Sequence, residues 1–194
     1  MTYFCITPSL ISSLVTLFLL FAAASCASKV VDVQVICAQA RDPKLCSSVL
    51  NSKPGGAKGV DLVTLAQYTI NVARVKATKT ITLINSLIAK SGGHPKAKSH
   101  YQTCLTHFNK DEGALNDINY VQELLKKGDY FGVGTAASAV ITDVDDCITG
   151  EDPEDPSYPD KSNLPQYADV VQKVVDIILI ISNYLIQNSY KIGE

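Results

Sequence analysis

From residue 63 the apolar and small side chains recur at alternating steps of three and four: Val63, Ala66, Ile70, Ala73, Ala77, Thr80, Ile84 and Leu87. Only Thr80 is polar. A stripe sustained over three heptads predicts one long bundle helix over 61–90. Asp61 is its N-cap and Ser91-Gly92-Gly93 its stop. A second helix starts after Pro95, with Tyr101, Cys104 and Phe108 on one stripe and Leu115, Ile118, Val121 and Leu125 continuing it. Lys110-Asp111-Glu112-Gly113 interrupts that stripe. A third helix runs from about Gly134, its stripe being Val133, Ala137, Val140, Val144 and Cys147. A fourth opens at Asn163-Leu164-Pro165-Gln166, an Asn cap with Gln three residues on, and continues through Tyr167, Val171, Val174, Ile178, Ile181 and Leu185.

Four amphipathic helices joined by polar breaks predict an all-α fold, an antiparallel four-helix bundle over 59–190. Ahead of it, Val33, Cys37 and Ala40 follow a helical step, Asp42-Pro43 breaks it, and Cys46 and Val49 resume. Residues 28–58 therefore read as an N-terminal helical hairpin, and 28–190 as one domain. Residues 150–163, with Pro153, Pro156, Pro159 and five carboxylates, form an extended solvated loop. Val174–Ile181 is apolar almost all round, but too short for a membrane span and interrupted by Asp176, so it reads as a core helix.

The chain has 194 residues, 46% hydrophobic and 19% charged, which excludes disorder as its main state. Without Trp and with 7% aromatics it offers no stacking surface for single-stranded nucleic acid. Part of the hydrophobic content is a targeting segment. Leu10–Ala24 is apolar or small throughout and followed by Ser25, Cys26, Ala27 and Ser28, the pattern of a secretory signal peptide over 1–27. The segment lacks Lys or Arg before its apolar run, a departure from the usual form. A retained anchor is disfavoured by its length. A lipoprotein acylated at Cys26 is disfavoured by Ala23 at the position that takes a large aliphatic.

Cleavage after Ala27 removes Cys5 and Cys26 and leaves Cys37, Cys46, Cys104 and Cys147. An even count in an exported chain predicts two disulfides. Three pairings are possible. Closeness in sequence favours Cys37–Cys46 as a local clip, leaving Cys104–Cys147 as a brace between the second and third bundle helices.

Candidate chemistry is thin. His100, Cys104 and His107 share a helix face, which could suggest a metal cluster or a Cys/His nucleophile. Cys104 already has a disulfide role, and no orienting third group is near in sequence. Asp143, Asp145, Asp146 and Glu151 suggest calcium at a glance, but Cys147 and Ile148 fall where an oxygen ligand and a glycine are needed. No phosphate loop, G-x-S-x-G or HExxH is present. The reading is a chain with no catalytic residue, no metal and no cofactor.

Charge is distributed unevenly. Residues 29–110 carry 12 Lys+Arg against 3 Asp+Glu, and residues 111–194 carry 5 against 16. The halves are +9 and −11 within a net charge of −2. That asymmetry suits an electrostatically oriented encounter with a partner, or two oppositely charged parts that help one another pack. Nucleic acid is a poor partner for an exported chain with an acidic half.

Four segments carry a family resemblance. Ile36-Cys37-Ala38-Gln39-Ala40-Arg41-Asp42-Pro43-Lys44-Leu45-Cys46 resembles the opening hairpin of the plant invertase/pectin methylesterase inhibitor family. Tyr101-Gln102-Thr103-Cys104 is similar to its Y-x2-C at the second bundle helix. Gly128-Asp129-Tyr130, Ala136-Ala137-Ser138-Ala139 and Asp146-Cys147 resemble its third-helix signature. Asp176–Leu185 resembles the closing helix of the pectin methylesterase inhibitors. The resemblance spans 32–187, and the family's pairing, first cysteine with second and third with fourth, agrees with the one above.

The resemblance implies a secreted, extracellular inhibitor acting in the cell wall, with pectin methylesterase as partner and acid invertase as the alternative. A secreted structural or small-ligand-binding bundle is the reading of another class. Lys126–Gly132 lacks the Pro-Lys-Phe stretch that invertase inhibitors can carry, which tilts the reading to pectin methylesterase. The implied mechanism is occlusion of the enzyme's cleft by the second and third helices and their connection: Tyr101, Asp129, Tyr130, Phe131, Thr135 and Ser138, with Asp143 meeting a basic enzyme. Binding should then depend on salt and pH. Two departures stand out. The Cys104–Gly128 interval is about three residues longer than the family expectation, which places a bulge or kink near Gly113. Val175 stands where some members have a fifth cysteine.

Overall fold

In the computed structural model, residues 30–150 and 157–190 are described, and the signal segment 1–27 lies outside them. Seven helices follow one another among these residues: α1 Val33–Cys37, α2 Pro43–Asn51, α3 Leu62–Lys90, α4 Pro95–Phe108, α5 Ala114–Lys127, α6 Tyr130–Thr149 and α7 Leu164–Tyr190.

Helix starts follow from local chemistry. Asp32 accepts the Gln34 N–H at 2.8 Å, Asp42 the Leu45 N–H at 3.0 Å and Asp61 the Thr64 N–H at 2.9 Å. Each satisfies a backbone donor that the first helical turn leaves free. Pro43 and Pro95 open α2 and α4, where a missing N–H costs nothing. Gly128 ends α5 in the left-handed region at φ 73°, which a side chain would disfavour.

The bundle is a square of four rods. α3 packs on α7, α7 on α6, and α6 on the α4–α5 pair, which closes back on α3. Diagonal rods do not meet among the described residues. α4 and α5 together occupy one corner, since both pack on α3 and α6. Phe108 and Ala114, on either side of the break, are fully buried. The hairpin α1–α2 packs on α3 and α7 and shares one hydrophobic core with the bundle. Gln39 donates to the Tyr184 hydroxyl, the Arg41 N–H to Asp176 at 3.0 Å, and Lys173 lies 3.4 Å from Asp42.

Three sequence expectations need correction. α6 starts at Tyr130, not Gly134, because Asp129 caps it through the Gly132 N–H at 2.9 Å. Val63 and Tyr167 leave their stripes and are 39% and 44% exposed; Leu62 with Leu65, and Leu164 with Ala168, take the inward positions. At the start of α7 the side-chain acceptor for the Leu164 N–H is Ser162 Oγ, at 3.0 Å, rather than Asn163. The expected interruption of the second rod is a full break: α4 ends at Phe108 and α5 begins at Ala114. Thr80, the polar member of its stripe, is buried and donates to the Lys76 carbonyl at 3.0 Å.

Candidate functional site

Both disulfides are formed, Cys37–Cys46 within the hairpin and Cys104–Cys147 between α4 and α6. Their Cα atoms are 5.4 and 4.4 Å apart, and all four cysteines are buried. The brace ties Cys104, in the second half of α4, to Cys147, near the end of α6, and so fixes the register of these two rods.

Because the hairpin covers the α3–α7 side, the side formed by α4, α5 and α6 stays open. Its central feature is the outer stripe of α6. Phe131, Thr135, Ser138, Thr142 and Thr149 follow at steps of four, three, four and seven, and all are exposed. Thr135, Ser138, Thr142 and Thr149 each donate a hydroxyl to a carbonyl four residues back. Bonding inward in this way keeps these small side chains flat against the helix. Phe131, in the first turn, is 75% exposed and forms an aromatic prominence at one end of the stripe. Tyr130 beside it is half-buried and packs on the core. Asp129 is exposed and spends one oxygen on the cap. Gly132 permits this, since a Cβ there would meet the Asp129 carboxylate.

The expected contact residues do not form one surface. Asp129, Phe131, Thr135 and Ser138 lie on the open side. Tyr101 does not: it is 7% exposed and its hydroxyl donates to Asp160 at 2.9 Å. The ring sits in the core because Tyr101 shares a stripe with Cys104 and Phe108, so packing claims it. Asp160 also accepts the Ser162 N–H at 2.8 Å and lies 3.7 Å from His100. His100 stacks on Tyr158 with ring centroids 4.6 Å apart. Burial holds the His100 pKa below its ordinary 6.5, and Asp160 opposes that. This cluster fastens the segment before α7 to the flank of α4. His100, Cys104 and His107 therefore build no nucleophile: Cys104 is bonded to Cys147.

Asp143 lies between α6 and α5. Its Oδ2 is buried without a hydrogen-bond partner. Burial first, then the charges of Asp117 and Asp146, push its pKa up to about 7. Asp117 on α5 is raised as well, by burial. No group of three metal-ligating side chains converges among the described residues, and no described helix is long and apolar enough to cross a membrane.

Tyr120 was not anticipated as part of the open side. It is 49% exposed on α5. The signal was present in the sequence: on a stripe of Ile118, Val121 and Leu125, position 120 points outward.

Comparison with known proteins agrees with this architecture. A model of the family described as plant invertase/pectin methylesterase inhibitor matches residues 31–181. A pectinesterase inhibitor of Actinidia deliciosa is 32% identical over 157 residues, covering 79% of this chain and 78% of the relative. Pectinesterase inhibitor 2 of Arabidopsis thaliana is 30% identical over 158 residues, covering 81% and 86%. The crystal structure of a mutant form of a pectin methylesterase inhibitor from Arabidopsis superposes with a TM-score of 0.64 at 26% identity, over 78% of this chain and 95% of that one. A second pectin methylesterase inhibitor structure, from Arabidopsis thaliana, shares the fold with a TM-score of 0.57 at 24% identity, over 79% and 95%. The match over most of the described chain, with both disulfides in place, settles the grouping that the four resembling segments suggested: this chain belongs to the plant invertase/pectin methylesterase inhibitor family.

Proposed function

We propose that the chain inhibits pectin methylesterase, in the extracellular cell wall, by laying its α4–α5–α6 side over the enzyme's substrate cleft. The observation that carries the target is that the relatives matched over most of this chain are named for pectinesterase. The placement of the hairpin on α3 and α7 supports the choice of surface. α6, with 20 residues, is about 30 Å long, and two adjacent rods are about 20 Å wide. Their outer side thus offers on the order of 600 Å² per partner, close to the standard size of a specific protein interface.

Inhibition by covering needs no reacting group. It needs a surface that loses little freedom on binding, because ordering costs subtract from affinity. The brace between α4 and α6 and the inward-bonded hydroxyls supply such a surface. Phe131 has the properties of an anchor: large, aromatic and exposed in the free protein. Asp129, exposed at the start of α6, gives the side a negative charge that steers a basic enzyme and weakens with salt, whereas Asp143, half-buried and holding its proton up to about pH 7, adds none in acid.

The test is residual activity of a purified pectin methylesterase and a purified acid invertase, each titrated with this protein at low and high salt. Loss of pectin methylesterase activity, less complete at high salt, is expected. Loss of invertase activity alone refutes the assignment.

A further inference from the structure

The break between α4 and α5 is a built projection. Gly113 sits directly on the last carbonyls of α4: a Cβ there would fall 2.6 Å from the Thr106 oxygen and closer still to the carbonyl of His107. The chain therefore leaves the rod after Phe108 and returns to nearly the same point at Gly113. Phe108 and Ala114 stay fully buried on either side, so the rod's inner face continues as though residues 109–113 were absent. The extra length can only go outward. Asn109 shapes it, its Oδ1 accepting the N–H of Asp111 at 2.7 Å and of Glu112 at 2.8 Å. Lys110, Asp111 and Glu112 are exposed, and none makes a salt bridge among the described residues.

This knuckle stands midway along the α4–α5 rod, and that rod borders the side that the hairpin leaves open. A flat helical side would meet any cleft of suitable width. A projection with a cation and two anions at its tip meets only an enzyme whose rim has room and matching charge there. Discrimination between partners arises as much from such an obstruction as from attraction. We infer that residues 109–113 are a specificity element, which selects among pectin methylesterases by contact of Lys110, Asp111 and Glu112 with the rim of the enzyme's cleft. The inference rests on the proposed function and deepens it.

The experiment compares inhibition constants against two pectin methylesterases that differ in charge at the cleft rim. Wild type is compared with a variant carrying Lys110→Ser, Asp111→Ser and Glu112→Ser, which keeps Asn109 and Gly113. A second variant deletes 110–112. Circular dichroism and thermal melting report folding, and the serine variant keeps the test valid if the deletion variant fails to fold. A change of tenfold or more in the ratio of the two constants, with the melting curve unmoved, is the expected result. A ratio unchanged within twofold in the folded serine variant overturns the inference and leaves the proposed function standing. A wild-type protein that inhibits neither enzyme overturns both.

Discussion

Asp143 gives the bundle a pH-dependent stability whose sign and size follow from its surroundings. The folded chain holds its proton to about pH 7, against an ordinary value of 3.8. The unfolded chain releases that proton near pH 4, so between these values the folded state binds more protons. Stability from this group is complete below about pH 4, falls as pH rises and is gone above about pH 7. A shift of this size corresponds to about 4 kcal/mol as a ceiling. The side chain is only partly buried, so solvent screening brings the contribution to about 1–2 kcal/mol. Asp143→Asn keeps the shape and removes the titration. Urea unfolding of both proteins, followed from about pH 4 to about pH 8, isolates the group, because titrations common to both cancel in the difference. The variant should match wild type at the acid end and exceed it by about 1–2 kcal/mol at the alkaline end. Asp117→Asn should act in the same direction, since burial raises that group too. A difference between wild type and Asp143→Asn that stays flat across the range refutes the reasoning.

Removing the Cys104–Cys147 brace, which closes 43 residues, should cost about 4 kcal/mol, and removing the Cys37–Cys46 clip, which closes 9, about 2–3 kcal/mol; urea midpoints measure both. Phe131→Ala should leave stability within about 0.5 kcal/mol while weakening inhibition at least tenfold, and Tyr130→Ala should lower stability by about 1–3 kcal/mol; titrated inhibition and thermal melting separate the two. Gly113→Ala drives a methyl group into backbone carbonyls and should cost about 2–3 kcal/mol, read from the melting temperature.

Much of this molecule was legible because its signals are repetitive. The stripe through Ala66, Ile70, Ala73 and Ala77 needs only a period near 3.5 to be recognised, and its members are buried as expected. Cap chemistry at Asp61 and the stop at Ser91-Gly92-Gly93 bounded α3 within a residue. The misplaced start of α6 came from a weaker signal. Tyr130, Phe131 and Gly132 carry no periodic pattern, and the helix begins there because Asp129 reaches a backbone N–H three residues on. Tyr101 was misjudged as a contact residue for a related reason. A tyrosine suits a binding surface and a core equally well; the stripe it shares with Cys104 and Phe108 takes the ring into the core, and Asp160, fifty-nine residues away, accepts its hydroxyl there.

The sequence by itself determined the helical stripes, favoured the cysteine pairing that formed and carried the family resemblance, since these rest on a period, a short separation or motifs read directly along the chain. Tertiary structure alone decided which side of the bundle is free. Four amphipathic rods bury their stripes equally well whichever pair the hairpin covers. The choice of α3 and α7 rests on contacts such as Gln39 with Tyr184 and Arg41 with Asp176, which no periodicity encodes. It also decided the height of Asp143's pKa, because burial between α6 and α5 raises the carboxylate first and the charge of Asp117 on the neighbouring helix raises it further. The outward course of 109–113 has the same origin: the rod must present Phe108 and Ala114 to one core, and the residues between them have only solvent to enter.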